Sequence, residues 1–127
     1  MDRILSNDND VAAVIVECNG AHYGTHPLQN PQFLHDLQET TAKHGVVFIM
    51  DEVITGFRLS PGGAQVRYDL EPDLSTFAKI IAGGQPGAAV GGRADIMELM
   101  AFRDDPDWDN VLRVPQGGTY NAQPVTA

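Results

Sequence analysis

The 127-residue chain is 43% hydrophobic, which is enough for one modest domain with its own core and too little for two. Eight Lys and Arg against 17 Asp and Glu leave a formal net charge of -9, a surface that repels phosphate backbones and anionic membranes, so neither nucleic acid nor a membrane is expected as a partner. The longest apolar runs, 11–16 and 46–50, fall far short of the roughly 20 residues that cross a bilayer, and the single Cys18 with no export leader fits a cytoplasmic, reducing setting.

Val11-Ala-Ala-Val-Ile-Val16 follows the turn-forming Asn7-Asp-Asn-Asp10 and reads as a strand buried on both faces, with Glu17 at its end. After a Gly- and His-containing loop, Asn30 can cap a helix with Pro31 at its first position, and Phe33, Leu34, Leu37 and Thr41 follow at helical spacing. Lys43 and His44 suit the last turn, and Gly45 supplies a left-handed stop. Val46-Val-Phe-Ile-Met50 is the next buried strand and runs into Asp51-Glu52. The segment from Val11 to Met50 therefore has the form of a βαβ unit with parallel strands and a right-handed crossover.

Turns at Ser60-Pro-Gly-Gly63 and Glu71-Pro-Asp73 flank a short helical stretch through Gln65. Leu74 to Ala78 reads as a strand that delivers Lys79, and 83–87 is too Gly-rich for regular structure. Ala88 to Val90 suggests a further strand, and Ala94 to Ala101 a helix with Ile96, Met97 and Met100 on its core face. The acidic segment from Arg103 to Gly118 reads as a surface loop, or as a segment ordered only by a partner.

Ligands of open α/β sheets bind outside the carboxyl ends of the strands, where Glu17, Asp51, Glu52 and Lys79 are expected to converge. A carboxylate at the end of a buried strand is stable only beside a cation or several donors, so Asp51 needs a positive partner. A lysine in a tight Gly-rich loop can be desolvated into an amine nucleophile, which makes Lys79 the natural one. An Asp that keeps a ring nitrogen protonated, with a Lys that attacks an aldehyde on the same ring, is the pairing that turns pyridoxal phosphate (PLP) into an electron sink. Arg58 reads as a structural partner of Glu52 or Asp69. His22 and His26 lack further ligands at metal spacing, so no metal is expected. The Gly83-Gly84 and Gly91-Gly92 pairs lack a phosphate-loop context.

Asp51-Glu-Val-Ile-Thr-Gly-Phe-Arg58 is similar to the core motif of class III PLP-dependent aminotransferases, especially the branch containing glutamate-1-semialdehyde 2,1-aminomutase. Pro72-Asp-Leu-Ser-Thr-Phe-Ala-Lys79-Ile-Ile-Ala-Gly-Gly84 resembles the lysine motif of the same family, and Gly117-Gly-Thr-Tyr-Asn-Ala-Gln-Pro124 its phosphate-approaching turn. The resemblance implies the α/β, three-layer, mainly parallel-sheet large domain of fold-type I PLP enzymes, with residues 1–127 forming part of it. It implies that Asp51 pairs with the pyridine nitrogen, Val53 packs on the ring, and Lys79 is the Schiff-base lysine and proton shuttle. Thr119 would donate to the phosphate beside a helix start, from the neighbouring subunit of a homodimer.

Two departures from the family pattern bear on substrate. Cys18 stands where a Pro commonly follows Glu17, and the loop Asn19-Gly-Ala-His-Tyr-Gly24 is unusual, so that His22 and Tyr23 are candidates for lining a distinct pocket. The phosphate-cradling turn and ring-stacking aromatic of the family are not found before Val11, nor its small domain after Ala127. Amino-group transfer between small amino and carbonyl substrates, or within one molecule, is the expected activity. Class III enzymes acting on β-amino acids or ω-amines are the enzymatic alternative. A catalytically silent, truncated fragment of such an enzyme is the other reading.

Overall fold

A computed structural model describes residues 1–8, 10–18, 28, 30–119 and 121–125. Four strands, β1 (Ala13–Val16), β2 (Val47–Asp51), β3 (Leu74–Phe77) and β4 (Ala89–Gly92), form one sheet in the order β1-β2-β3-β4. The first three are parallel and β4 runs antiparallel to β3, so the sheet is mainly parallel as the sequence implied.

The crossover helix of the βαβ unit, α2, spans Gln32–His44 after a short α1 at Asp2–Leu5. Its start is set by Asn30, whose Oδ1 accepts the Gln32 N–H at 3.0 Å, and by Pro31 with its φ of -57°. Leu34, Leu37 and Thr41 recur at helical spacing on the buried face, where the Thr41 hydroxyl donates to the Leu37 carbonyl at 3.0 Å. Phe33, which the same spacing had included, lies beside that stripe and is 51% exposed. Gly45 ends the helix at φ +66°, and its N–H and that of Val46 close a Schellman motif on the Ala42 and Thr41 carbonyls. Lys43 and His44 in the last turn both reach Asp2 Oδ1, at 2.8 and 2.9 Å, tying α1 to the end of α2.

The core lies between α2 and one face of the sheet. Leu34 and Leu37 meet Phe48 and Met50 of β2, together with Cys18, Leu70 and Ala64 of α3 (Gly63–Arg67), while Val14 and Val16 pack against the margin. On the opposite face Ile15 is 59% exposed and Val90 38%, so β1 is not buried on both faces as its composition suggested. The reason is positional: β1 is the edge strand, and Ile15 lies on the face opposite the core of Phe48 and Met50.

Asp73 joins the N-terminal ends of β2 and β3. Its N–H donates to the Phe48 carbonyl at 2.9 Å, its Oδ2 accepts the Phe48 N–H at 2.7 Å, and its Oδ1 takes Arg93 at 2.7 Å. Arg93 also grips Asp95 through two hydrogen bonds, which lowers the Asp95 carboxyl below its ordinary range and raises the guanidinium.

The expected helix from Ala94 is shorter than its pattern. It runs as α4 (Ala94–Met97) and tightens into a 3-10 turn at Glu98–Met100, with Ile96, Met97 and Met100 half-buried. The segment expected as a plain loop carries a π-helical turn at Trp108–Leu112. Two contacts of Trp108 hold it: the Arg103 guanidinium stacks 3.6 Å from its ring, and its Nε1–H donates to the Ala101 carbonyl at 2.8 Å. No helix among the described residues is long and apolar enough to cross a membrane.

Candidate functional site

Parallel pairing brings the carboxyl ends of β1, β2 and β3 to one edge. Val16 pairs with Met50 and Asp51 with Thr76, which places Glu17, Asp51 and Lys79 just beyond or at the ends of neighbouring strands. Asp51 is half-buried. Its Oδ1 accepts the Val53 N–H at 3.0 Å, and among the described residues its Oδ2 meets no donor.

Lys79 lies three positions past Thr76 and opens a 3-10 turn, Lys79–Ala82, closed by Gly83 at φ +60°. Its own φ is +53°, a left-handed conformation that costs a side-chain-bearing residue about 1–2 kcal/mol. Such strain concentrates at ligand-binding positions. The lysine is exposed, and among the described residues its ammonium has no acceptor. Val53 is half-buried in the turn after Asp51, and Phe57 packs on Phe77 with ring centroids 6.0 Å apart.

Glu52 does not join this group. It is fully buried and turned into the domain, where its carboxylate accepts the Thr55 hydroxyl, the Ala64 N–H at 2.9 Å and the Gln65 N–H at 2.8 Å. That arrangement satisfies the free donors at the start of α3. With Glu52 turned inward, Arg58 does not pair with it and instead donates from Nε to the Ile54 carbonyl at 3.0 Å. The sequence reading missed both the inward turn of Glu52 and the part played by Thr55. The available signal was a Glu with Thr three positions on, facing a Gly-Gly-Ala helix start.

Cys18 is 2% exposed, and burial pushes its thiol up to about 11, aided by the charges of Glu52 and Glu17. It is packing, not a thiolate nucleophile. Thr119 shares a cleft with Ile81 and Ala82, just past Lys79, and the residues lining that cleft include neither Asp51 nor Lys79. It is exposed, and the cleft of about 800 Å³ lies between residues 81–90 and residues 116–119 and 121–125. No helix starts at Thr119 among the described residues; a turn closes there instead, with the Asn121 N–H on the Gly118 carbonyl at 3.1 Å. His22, Tyr23 and His26 lie outside the described residues. No group of three potential metal ligands occurs among the described ones.

Residues 2–127 match the family model described as aminotransferase class-III. The chain belongs to the class III aminotransferases. Among its relatives, a glutamate-1-semialdehyde 2,1-aminomutase from Methanoculleus marisnigri is 44% identical over 99% of this chain and 28% of its own length. An omega-transaminase from Sphaerobacter thermophilus superposes with a TM-score of 0.79 at 41% identity, over 98% of this chain and 27% of that one. A glutamate-1-semialdehyde aminomutase from Pseudomonas aeruginosa, solved in complex with PMP, gives 0.64 at 34% identity over 76% of this chain and 21% of that one. The fold is therefore that of the class III enzymes, and the chain spans just over a quarter of the length of the first two relatives.

Proposed function

We propose that this class III chain carries the cofactor-anchoring strand ends of a PLP-dependent enzyme that transfers amino groups between small amino and carbonyl compounds. The observation that carries the reading is the pairing of Asp51 with Thr76, which sets Asp51 and the strained Lys79 at the ends of adjacent parallel strands. These residues fit the ring end of PLP: an uncommitted carboxylate oxygen, an uncommitted amine and the half-buried Val53 in the turn after Asp51.

When bound, PLP supplies an aldehyde that accepts amino groups and a ring that withdraws electrons. Asp51 would keep the proton on the pyridine nitrogen, because a carboxylate beside that nitrogen favours its charged form. Val53 would exclude water from one ring face. Lys79 would hold the cofactor through Nζ and, once displaced by substrate, move a proton at the substrate carbon. Thr119 would donate its hydroxyl to the phosphate. In the proposed homodimer that hydroxyl would come from the neighbouring subunit, as the resemblance implies. A cytoplasmic setting completes the proposal.

Two reaction types remain distinct. The 44% identity to an aminomutase supports movement of the amino group within one molecule, while the fuller superposition on an omega-transaminase supports transfer between two. Glutamate-1-semialdehyde offered alone separates them by product: movement within one molecule yields only an isomer of the same mass, whereas transfer between two molecules yields a diamino and a dioxo product in equal amounts.

The cofactor reading is tested by adding PLP, recording the visible absorbance, reducing with borohydride and mapping the labelled peptide. A new band with the label on Lys79 is expected. No band, or label spread over surface lysines, would overturn it in favour of a catalytically silent chain.

A further inference from the structure

We propose that Glu52 is a positioning residue for the cofactor site, acting through Asp51; the inference rests on the reading of Asp51 as the partner of the ring nitrogen. Among the described residues Glu52 is the sole buried side chain of an acidic or basic residue. Burying a carboxylate is costly even when it is hydrogen-bonded, and an apolar side chain of similar volume fills such a space without that cost. What the carboxylate provides is connection.

Five hydrogen bonds meet at this residue. Its side chain accepts from Thr55, Ala64 and Gln65, its N–H donates to the Thr76 carbonyl at 2.9 Å, and its carbonyl accepts the Gly56 N–H at 2.9 Å. The turn 52–56 is thereby pinned on one side to β3, three residues before Lys79, and on the other to the start of α3. Val53 lies in that turn, and its N–H holds Asp51 Oδ1 at 3.0 Å. The direction of the Val53 N–H sets the plane of the Asp51 carboxylate, and the Glu52 contacts set the direction of the Val53 N–H.

The packing leaves little slack. A β-carbon at Gly56 would stand 2.7 Å from the Glu52 carbonyl oxygen and 2.9 Å from the Phe77 ring. In so tight a turn a small shift on loss of the Glu52 contacts is passed directly to the Val53 N–H, and Asp51 is the first side chain to lose its orientation. The role is separate from catalysis, since Glu52 is sealed from the sheet edge where Asp51 and Lys79 stand.

The test is a double-mutant cycle on PLP affinity, measured by absorbance titration of the protein carrying this chain, below the melting midpoint of every variant. Glu52→Gln keeps the shape but replaces an acceptor with a donor, and is expected to weaken binding about tenfold in the wild-type background. In the Asp51→Asn background the same change is expected to cost less than about twofold, because the group it positions is already disabled. Equal losses in both backgrounds, or a Glu52→Gln protein that melts earlier yet binds PLP like wild type, would overturn the proposal in favour of a purely structural role. Should Glu52→Gln fail to fold, Thr55→Val removes one of the three side-chain donors and is expected to show the same non-additivity. Failure of the wild-type protein itself to bind PLP would instead sink the cofactor reading, and this inference with it.

Discussion

A β-carbon placed on Gly63 would stand 2.6 Å from Glu52 Oε1 and 2.8 Å from Oε2. Gly63 also sits at φ +74°, where any side chain is strained. Both effects act on a carboxylate that cannot retreat without abandoning the backbone donors of Ala64 and Gln65. Gly63→Ala is expected to destabilise the fold by about 2–4 kcal/mol in a denaturant melt. A change within about 0.5 kcal/mol would show that this corner yields more easily than its contacts imply.

Leu34 and Phe33 are neighbours in sequence with opposite environments, 0% and 51% exposed. Leu34→Ala opens a hole against Phe48 and Met50 and is expected to cost about 2–5 kcal/mol. Phe33→Ala should cost less than about 1 kcal/mol. Equal losses in parallel urea melts would contradict the assignment of the buried face of α2.

Asp2 gives a pH signature. Hydrogen bonds from Lys43 and then His44, with the Lys43 charge, hold its carboxyl at about 2 instead of the ordinary 3.8. A carboxyl depressed on folding contributes stability that is complete above 3.8 and fades as pH falls from there toward 2. The pair is exposed, so the contribution is small and weakened by salt. Asp2→Asn should melt slightly earlier than wild type at pH 6, and the gap should close by about pH 2. A gap that widened on acidification would refute the linkage.

Lys79 stores backbone strain that can be read without any cofactor. Ala at this position keeps the unfavourable left-handed φ of +53°, whereas Gly relieves it. Lys79→Gly should therefore be about 1 kcal/mol more stable than Lys79→Ala in cofactor-free protein. Were the alanine variant equally stable, the turn would be carrying no strain.

The local grammar of the chain was legible where single residues dictate backbone geometry. Asn30, Pro31 and Gly45 marked the limits of α2, and the two β-branched runs with a helix between them gave the parallel pair that places Asp51 and, one strand over, Lys79. Properties set by distant neighbours were less legible. The exposure of Ile15 depends on which strand ends the sheet, and the inward turn of Glu52 depends on α3 arriving with its free N–H groups. The turn at Trp108 required Arg103 to stack on a ring across an acidic stretch that composition alone presents as loop.

The outer edge of β1 presents unpaired backbone groups along Ala13–Val16, since no described strand lies beyond it. The four residues are Ala, Val, Ile and Val, with no proline to block pairing and no charge to repel it. Such an edge is sticky in a directional sense: it accepts another extended segment rung by rung, whether from a longer polypeptide or from a neighbouring molecule.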